Sequence, residues 1–343
     1  MTFDELKTRL SSKSLDTDNL YKNTISNFAE LGFFSPLNGA GFYEFHKNLF
    51  RLATLPHGVG LSLSIMSQVN VAGYILKIAK EEGDTLSKKI LHEVVLGEKI
   101  VSFGVSEKNW NFKLRDLKSR IELKENNFIL NAEKSFLTNG LHSDYYLLVV
   151  NSVSENKARV VCVDQNKIGL QKKKFSLPFA MEATHVQLKC EEVTILSEEI
   201  LNFDYRKYAE ILRFSEILSI SAIFCGWIHS LLSLVKENKN IDWTKVEETT
   251  QKKILKIKVF GELLFQRVLD ISKRKDENSE YNVKEDYPFG LEDMADTILP
   301  ELKYVCGLAK IQDELQKEIG LFLWRDSFHK HNEKKAFLKW LHE

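Results

Sequence analysis

The sequence predicts an α+β protein in which a compact β domain stands between two helical regions. Two changes of texture carry this: apolar residues recur three and four apart up to about Lys99, alternate in short runs from about 100 to 200, and regain helical spacing from Tyr205 onward. The chain has 343 residues, 43% of them hydrophobic, enough for a sizeable core. Lys plus Arg and Asp plus Glu are both 48, so no net field draws the chain to nucleic acid or an anionic membrane. The expected domains are residues 1–99, 100–200 and 201–343.

In the first region, Leu20, Tyr21, Ile25, Phe28 and Leu31 mark one helix and Leu86, Ile90, Leu91, Val94 and Val95 another. Between them lie a Pro/Gly loop at Ser35–Gly41 and a long apolar helix over Leu61–Lys80. Gly39-Ala40-Gly41 and Gly58-Val59-Gly60 read as helix-end turns, since neither follows a strand as a phosphate-binding loop would. Ile121–Lys124 and Phe128–Asn131 flank the turn Glu125-Asn126-Asn127 and predict a hairpin. Tyr145–Val150, Arg159–Val163 and His185–Leu188 are further strands. Ile211–Leu232, Thr250–Ser272 and Leu291–Phe322 then predict an antiparallel bundle, with a charged linker over Lys273–Asp286.

Local chemistry alone leaves the function open. The four cysteines, Cys162, Cys190, Cys225 and Cys306, form no CxxC pair, and the N-terminus has no leader pattern, so a reduced cytoplasmic protein is expected. Ile217–Leu232 is broken by Ser219, Ser221, His229 and Ser230 and is shorter than the roughly 20 apolar residues of a membrane span, so a buried helix is expected. His329-Lys330-His331 lacks further ligands, and no metal site is expected. No GxSxG elbow is present. Lys172-Lys173-Lys174 and Lys252-Lys253 read as exposed loop and helix faces.

Two motifs go further. Val101-Ser102-Phe103-Gly104-Val105-Ser106-Glu107 resembles the acyl-CoA dehydrogenase segment (F/Y)-x-x-T-E-P, with Ser106 where that family has Thr. Asn131-Ala132-Glu133-Lys134-Ser135-Phe136-Leu137-Thr138-Asn139-Gly140 is similar to the family's N-G-x-K-x-(W/F)-I-T-N-G. The likeness runs back through Gly32-Phe33 and Leu86–Gly97 and forward through Met181–Val193, whereas the C-terminal third matches in helix pattern only. It implies an acyl-CoA dehydrogenase-like fold, FAD as cofactor, an acyl thioester as substrate, and a homodimer, homotetramer or heteromer with an intact paralogue. By the same resemblance Phe103, Val105, Ser106, Phe136 and Thr138 line the flavin. A strand hydroxyl and backbone N–H groups suit its polar edge, and an aromatic such as Phe136 its apolar face.

The chain departs from the family in several places. Where a Gly/Ser-rich loop follows T-E-P, it has Lys108-Asn109-Trp110-Asn111-Phe112-Lys113, whose aromatics reshape the acyl entrance or form a partner surface. Lys236–Trp243 lacks the Arg-x-x-Phe-Gly that grips the flavin pyrophosphate, and Ile319-Gly320-Leu321-Phe322 lacks the second glycine of the other grip. Arg325-Asp326 resembles the pair that precedes the usual catalytic base, but Glu333 comes one position early, without Gly-Thr. The alternative base is Glu216, on an apolar helix and ten residues before Gly226, although Ile217 replaces the Arg expected after it. Burial there would raise its pKa as a general base requires. Two functions follow: an FAD-dependent oxidoreductase forming an α,β-double bond, or a non-catalytic binding or partner subunit that has lost flavin and base.

Overall fold

The computed structural model describes residues 1–323 except 13, 111–112, 126, 156 and 279–290. Phe112, Arg325-Asp326, His329, His331 and Glu333 therefore lie outside the described residues, as does most of the expected linker. The chain packs as two compact units, one of residues 1–41, 63–177 and 181–216, the other of residues 42–62, 178–180 and 217–343.

The first unit begins with α1 (Phe3–Leu10) and α2 (Thr17–Glu30). Thr2 and Glu5 form a reciprocal capping box on α1. The predicted helix over Leu61–Lys80 is a continuous helical run, composed of α4 (Gly58–Met66), a π-helical segment over Ser67–Gly73, and α5 (Tyr74–Glu81). Next comes α6 (Thr85–Val95), whose N-cap Asp84 accepts from the Ser87 N–H at 2.6 Å.

The strands of this unit are β1 (Val101–Gly104), β2 (Arg120–Lys124), β3 (Asn127–Leu137), β4 (Tyr145–Ser152), β5 (Lys157–Asp164), β6 (Leu170–Phe175), β7 (His185–Ile195) and β8 (Ile200–Leu201). They form one mixed sheet in the order β6-β7-β3-β2-β4-β5-β8, with β1 parallel to β4. The predicted hairpin is β2–β3, with Ile121 opposite Leu130 and Lys124 opposite Asn127. Alternate residues Leu130, Leu148, Val161, Val186 and Leu188 build the core against the sheet. Lys172-Lys173-Lys174 corrects its expectation: it lies on neither loop nor helix but on the end strand β6, whose lysines are exposed. Charge at a sheet edge opposes further strand pairing, which is why so polar a run is stable there.

The second unit joins α3 (Phe42–Ala53) to the C-terminal helices α8 (Glu248–Glu277), α9 (Leu291–Leu308) and α10 (Gln312–Phe322) and to the later part of α7 (Ala209–Glu237). Helix α8 continues five residues into the expected linker. Asp276 explains this, because its carboxylate accepts the Phe42 and Tyr43 N–H groups at 2.9 Å and so caps α3. The helix expected over Leu291–Phe322 is broken after Leu308, where Lys310 has φ 55°. Helix α7 is longer than its apolar stretch, so it and the run 58–81 are each long and apolar enough to cross a membrane, but both are mostly buried within the protein.

Candidate functional site

The two sequence motifs meet at the ends of β1 and β3. On β3 the buried positions up to the motif's lysine are Leu130, Ala132 and Lys134, so strict alternation points a lysine into the interior. Its ammonium lies 2.8 Å from the Glu107 carboxylate and 3.2 Å from the Val105 carbonyl oxygen. Glu107 also accepts the N–H groups of Lys118 and Ser119. Burial lowers the Lys134 ammonium to about 8, against the pull of Glu107. Burial pushes the Glu107 carboxyl up, but Lys134 and the hydrogen bonds to it hold it below its ordinary value. The motif backbones are joined as well: Ser135 N–H donates to Ser106 O at 2.9 Å, and the Ser102 hydroxyl donates to Thr138 O at 2.6 Å.

Past Lys134 the pairing of β3 with β7 slips, and the register resumes at Leu137 with Val186. This irregularity breaks the alternation, leaving Ser135 and Phe136 half-buried in succession instead of one in and one out. The Phe136 ring packs edge-on to Phe175 at 5.1 Å and tilted against His185 at 5.3 Å. Thr138 Oγ1 is 3.4 Å from His185 Nδ1. Val105, Ser106, Phe136 and Thr138 are all half-buried, whereas Ser102, Gly104 and Lys134 beside them are buried. The fifth expected flavin residue, Phe103, lies on β1 with its ring 5.6 Å from that of Tyr205.

Glu216 lies on α7 with a side chain 29% exposed, paired with Arg213 at 3.3 Å. Burial raises the Tyr205 phenol well above its ordinary value, and the charge of Glu216 adds to the effect. The π-helical segment ties this part of α7 to β1. Gln68 donates to Lys99 O and accepts from Val101 N–H, while Asn70 donates to Ser215 O at 3.0 Å. Trp110 is half-buried and donates to Lys113 O at 2.9 Å, which folds the loop after the first motif onto itself.

Sequence reasoning missed Gln68, Asn70, Tyr205, Arg213 and His185, and gave no role to Glu107 and Lys134 although both stand in the quoted motifs. The signal for the last two was an acid in one motif and a base in the other. For Gln68 and Asn70 it was a pair of amides in an apolar run.

The residues at the motif ends fit a flavin ring. They offer the hydroxyls of Ser106 and Thr138, the partly open face of Phe136, and a buried His185 Nε2 with no hydrogen-bond partner among the described residues. In the other unit, the stretch from Lys236 to Trp243 ends α7 and turns back, with Asn238 donating to Ala309 O at 2.6 Å. It carries no arginine for a pyrophosphate.

No family model matches the chain. Isovaleryl-CoA dehydrogenase from Bos taurus is 27% identical over 143 residues, which are 39% of this chain and 33% of that protein. The match thus spans about a third of the length of the relative. Among solved structures, glutaryl-coenzyme A dehydrogenase in complex with glutaryl-CoA superposes with a TM-score of 0.75 at 16% identity, covering 91% of this chain and 85% of that one. The FAD complex of PigA gives 0.78 at 16% identity, covering 97% and 92%. The chain is therefore a homologue of the acyl-CoA dehydrogenases by sequence, and its fold is theirs.

Proposed function

We propose that the protein is a divergent FAD-dependent oxidoreductase of the acyl-CoA dehydrogenase type, which forms an α,β-double bond in an acyl thioester. One observation supports this above the others: the slip in β3 leaves Phe136 and Thr138 half-buried beside Val105 and Ser106, while Lys134 and Glu107 lock the two motifs together behind them. When bound, FAD supplies the two-electron acceptor for the substrate's β-hydrogen. The chain's own residues do the rest. Phe136 covers an apolar ring face, and the Ser106 and Thr138 hydroxyls hydrogen-bond the polar edge. Val105 and Phe103 bound the floor. Glu216 takes the α-proton on its carboxylate, which the Arg213 guanidinium at 3.3 Å orients.

A second reading, a non-catalytic acyl-thioester-binding or partner subunit, is favoured by the arginine-free stretch from Lys236 to Trp243 and by the Tyr205 ring against Phe103. The visible spectrum of the purified protein, with released flavin counted per chain, separates the two. Near one FAD per chain is expected, and none after incubation with excess FAD would leave the second reading. With flavin in place, Glu216→Gln should abolish bleaching by an acyl-CoA panel while keeping the flavin bound. Unchanged bleaching would remove Glu216 from the mechanism. The four cysteines are free and buried, which supports a reducing compartment such as the cytoplasm.

A further inference from the structure

His185 opens β7 and is 5% exposed. Its Nδ1 faces the Thr138 hydroxyl, but its Nε2 is buried with no hydrogen-bond partner among the described residues. An unsatisfied buried nitrogen is destabilising, so an imidazole in that state marks a place where a partner completes the structure. Burial holds the ring at about 4, so near neutral pH it is uncharged and carries one N–H. The Thr138 hydroxyl can donate to Nδ1, which puts the ring proton on Nε2 and makes that atom a donor. The polar edge of an isoalloxazine carries carbonyl oxygens and ring nitrogens as acceptors against a single N–H, and so suits a donor.

We propose that His185 is a flavin-binding residue, whose Nε2–H donates a hydrogen bond to an acceptor on the polar edge of the isoalloxazine beside Phe136 and Thr138. The assignment rests on the flavoprotein reading above and adds to it a residue outside both motifs. A donor at this edge stabilises the charge that builds on the ring as it is reduced, so His185 also raises the flavin's midpoint potential.

The test compares wild type, His185→Phe and His185→Gln as apoproteins and with added FAD. Without flavin, His185→Phe should melt at or above the wild-type temperature, because it removes the unsatisfied nitrogen. It should bind FAD at least tenfold more weakly by flavin-fluorescence titration, and its bound flavin should have a lower midpoint potential. His185→Gln, which keeps a donor, should recover part of both losses, and it carries the comparison if the Phe variant does not fold. If wild type binds FAD and both variants match its affinity and potential, His185 is ordinary core and the flavoprotein reading stands without it. If wild type takes up no FAD, that reading fails and the role of His185 fails with it.

Discussion

A lysine with no exposed surface is tolerable only while its partner stays charged beside it, and Glu107 meets that condition for Lys134. Glu107→Gln leaves the ammonium buried without a counter-charge, and urea denaturation should show a loss of about 3–5 kcal/mol. Adding Lys134→Met to that variant should restore most of the loss, because an apolar side chain of similar length needs no counter-charge. Buried imidazoles set a different pH window. Burial holds His46 at about 3 and His185 at about 4, below the ordinary value of about 6.5 that they regain on unfolding. The unfolded chain therefore binds more protons in the window between, so stability is full above about pH 6.5 and falls as pH is lowered through the folded values. The slope is about 1.4 kcal/mol per pH unit for each imidazole. Melting temperature should decline between pH 6.5 and 4.5, and His46→Gln should flatten the decline. An unchanged slope would mean that His46 does not carry the linkage.

Elements were legible where period and composition agreed, as in the β2–β3 hairpin. They were illegible where one long-range contact decided the outcome. Asp276 extends α8 by capping a helix more than two hundred residues earlier, which no local window contains. The π-helical turn was hidden because Ser67–Gly73 has the composition of an ordinary buried helix, and only its two amides hint that the backbone opens there. The candidate site divides in the same way. Phe136 and Thr138 came from a motif, and Arg213 stands three residues before Glu216 on the same helix, a spacing the sequence already carries, whereas the partner of Thr138, His185, follows from tertiary packing. Gly226 was noted for its spacing from Glu216, but its structural role is close approach. A Cβ there would lie 2.3 Å from Phe50 O and 2.8 Å from the Ala53 side chain, so α7 and α3 meet through it. Gly226→Ala should cost about 1–3 kcal/mol in urea denaturation despite the better helix propensity of alanine.

For the whole molecule, the order helical, β, helical was readable from the sequence, but the joining of α3 to the C-terminal helices was not. Local periodicity says that α3 has an apolar face and nothing about which helices cover it. On α8, Leu255, Val259 and Leu263 recur every fourth residue and are 58%, 46% and 61% exposed, beside a groove of about 670 Å³ lined by Phe50, Ile228, Trp243 and Phe265. This stripe offers a face for the self-association that the family resemblance implies, and light scattering should show Val259→Lys and Leu263→Glu together reducing an oligomeric wild type to monomer. A wild type that is already monomeric would remove the proposal. The strand β6 has a consequence of another kind. Its lysines keep the end of the sheet from accepting another strand, so acetylation, or replacement by threonine, would leave Leu170–Phe175 uncharged, β-prone and open to templated growth.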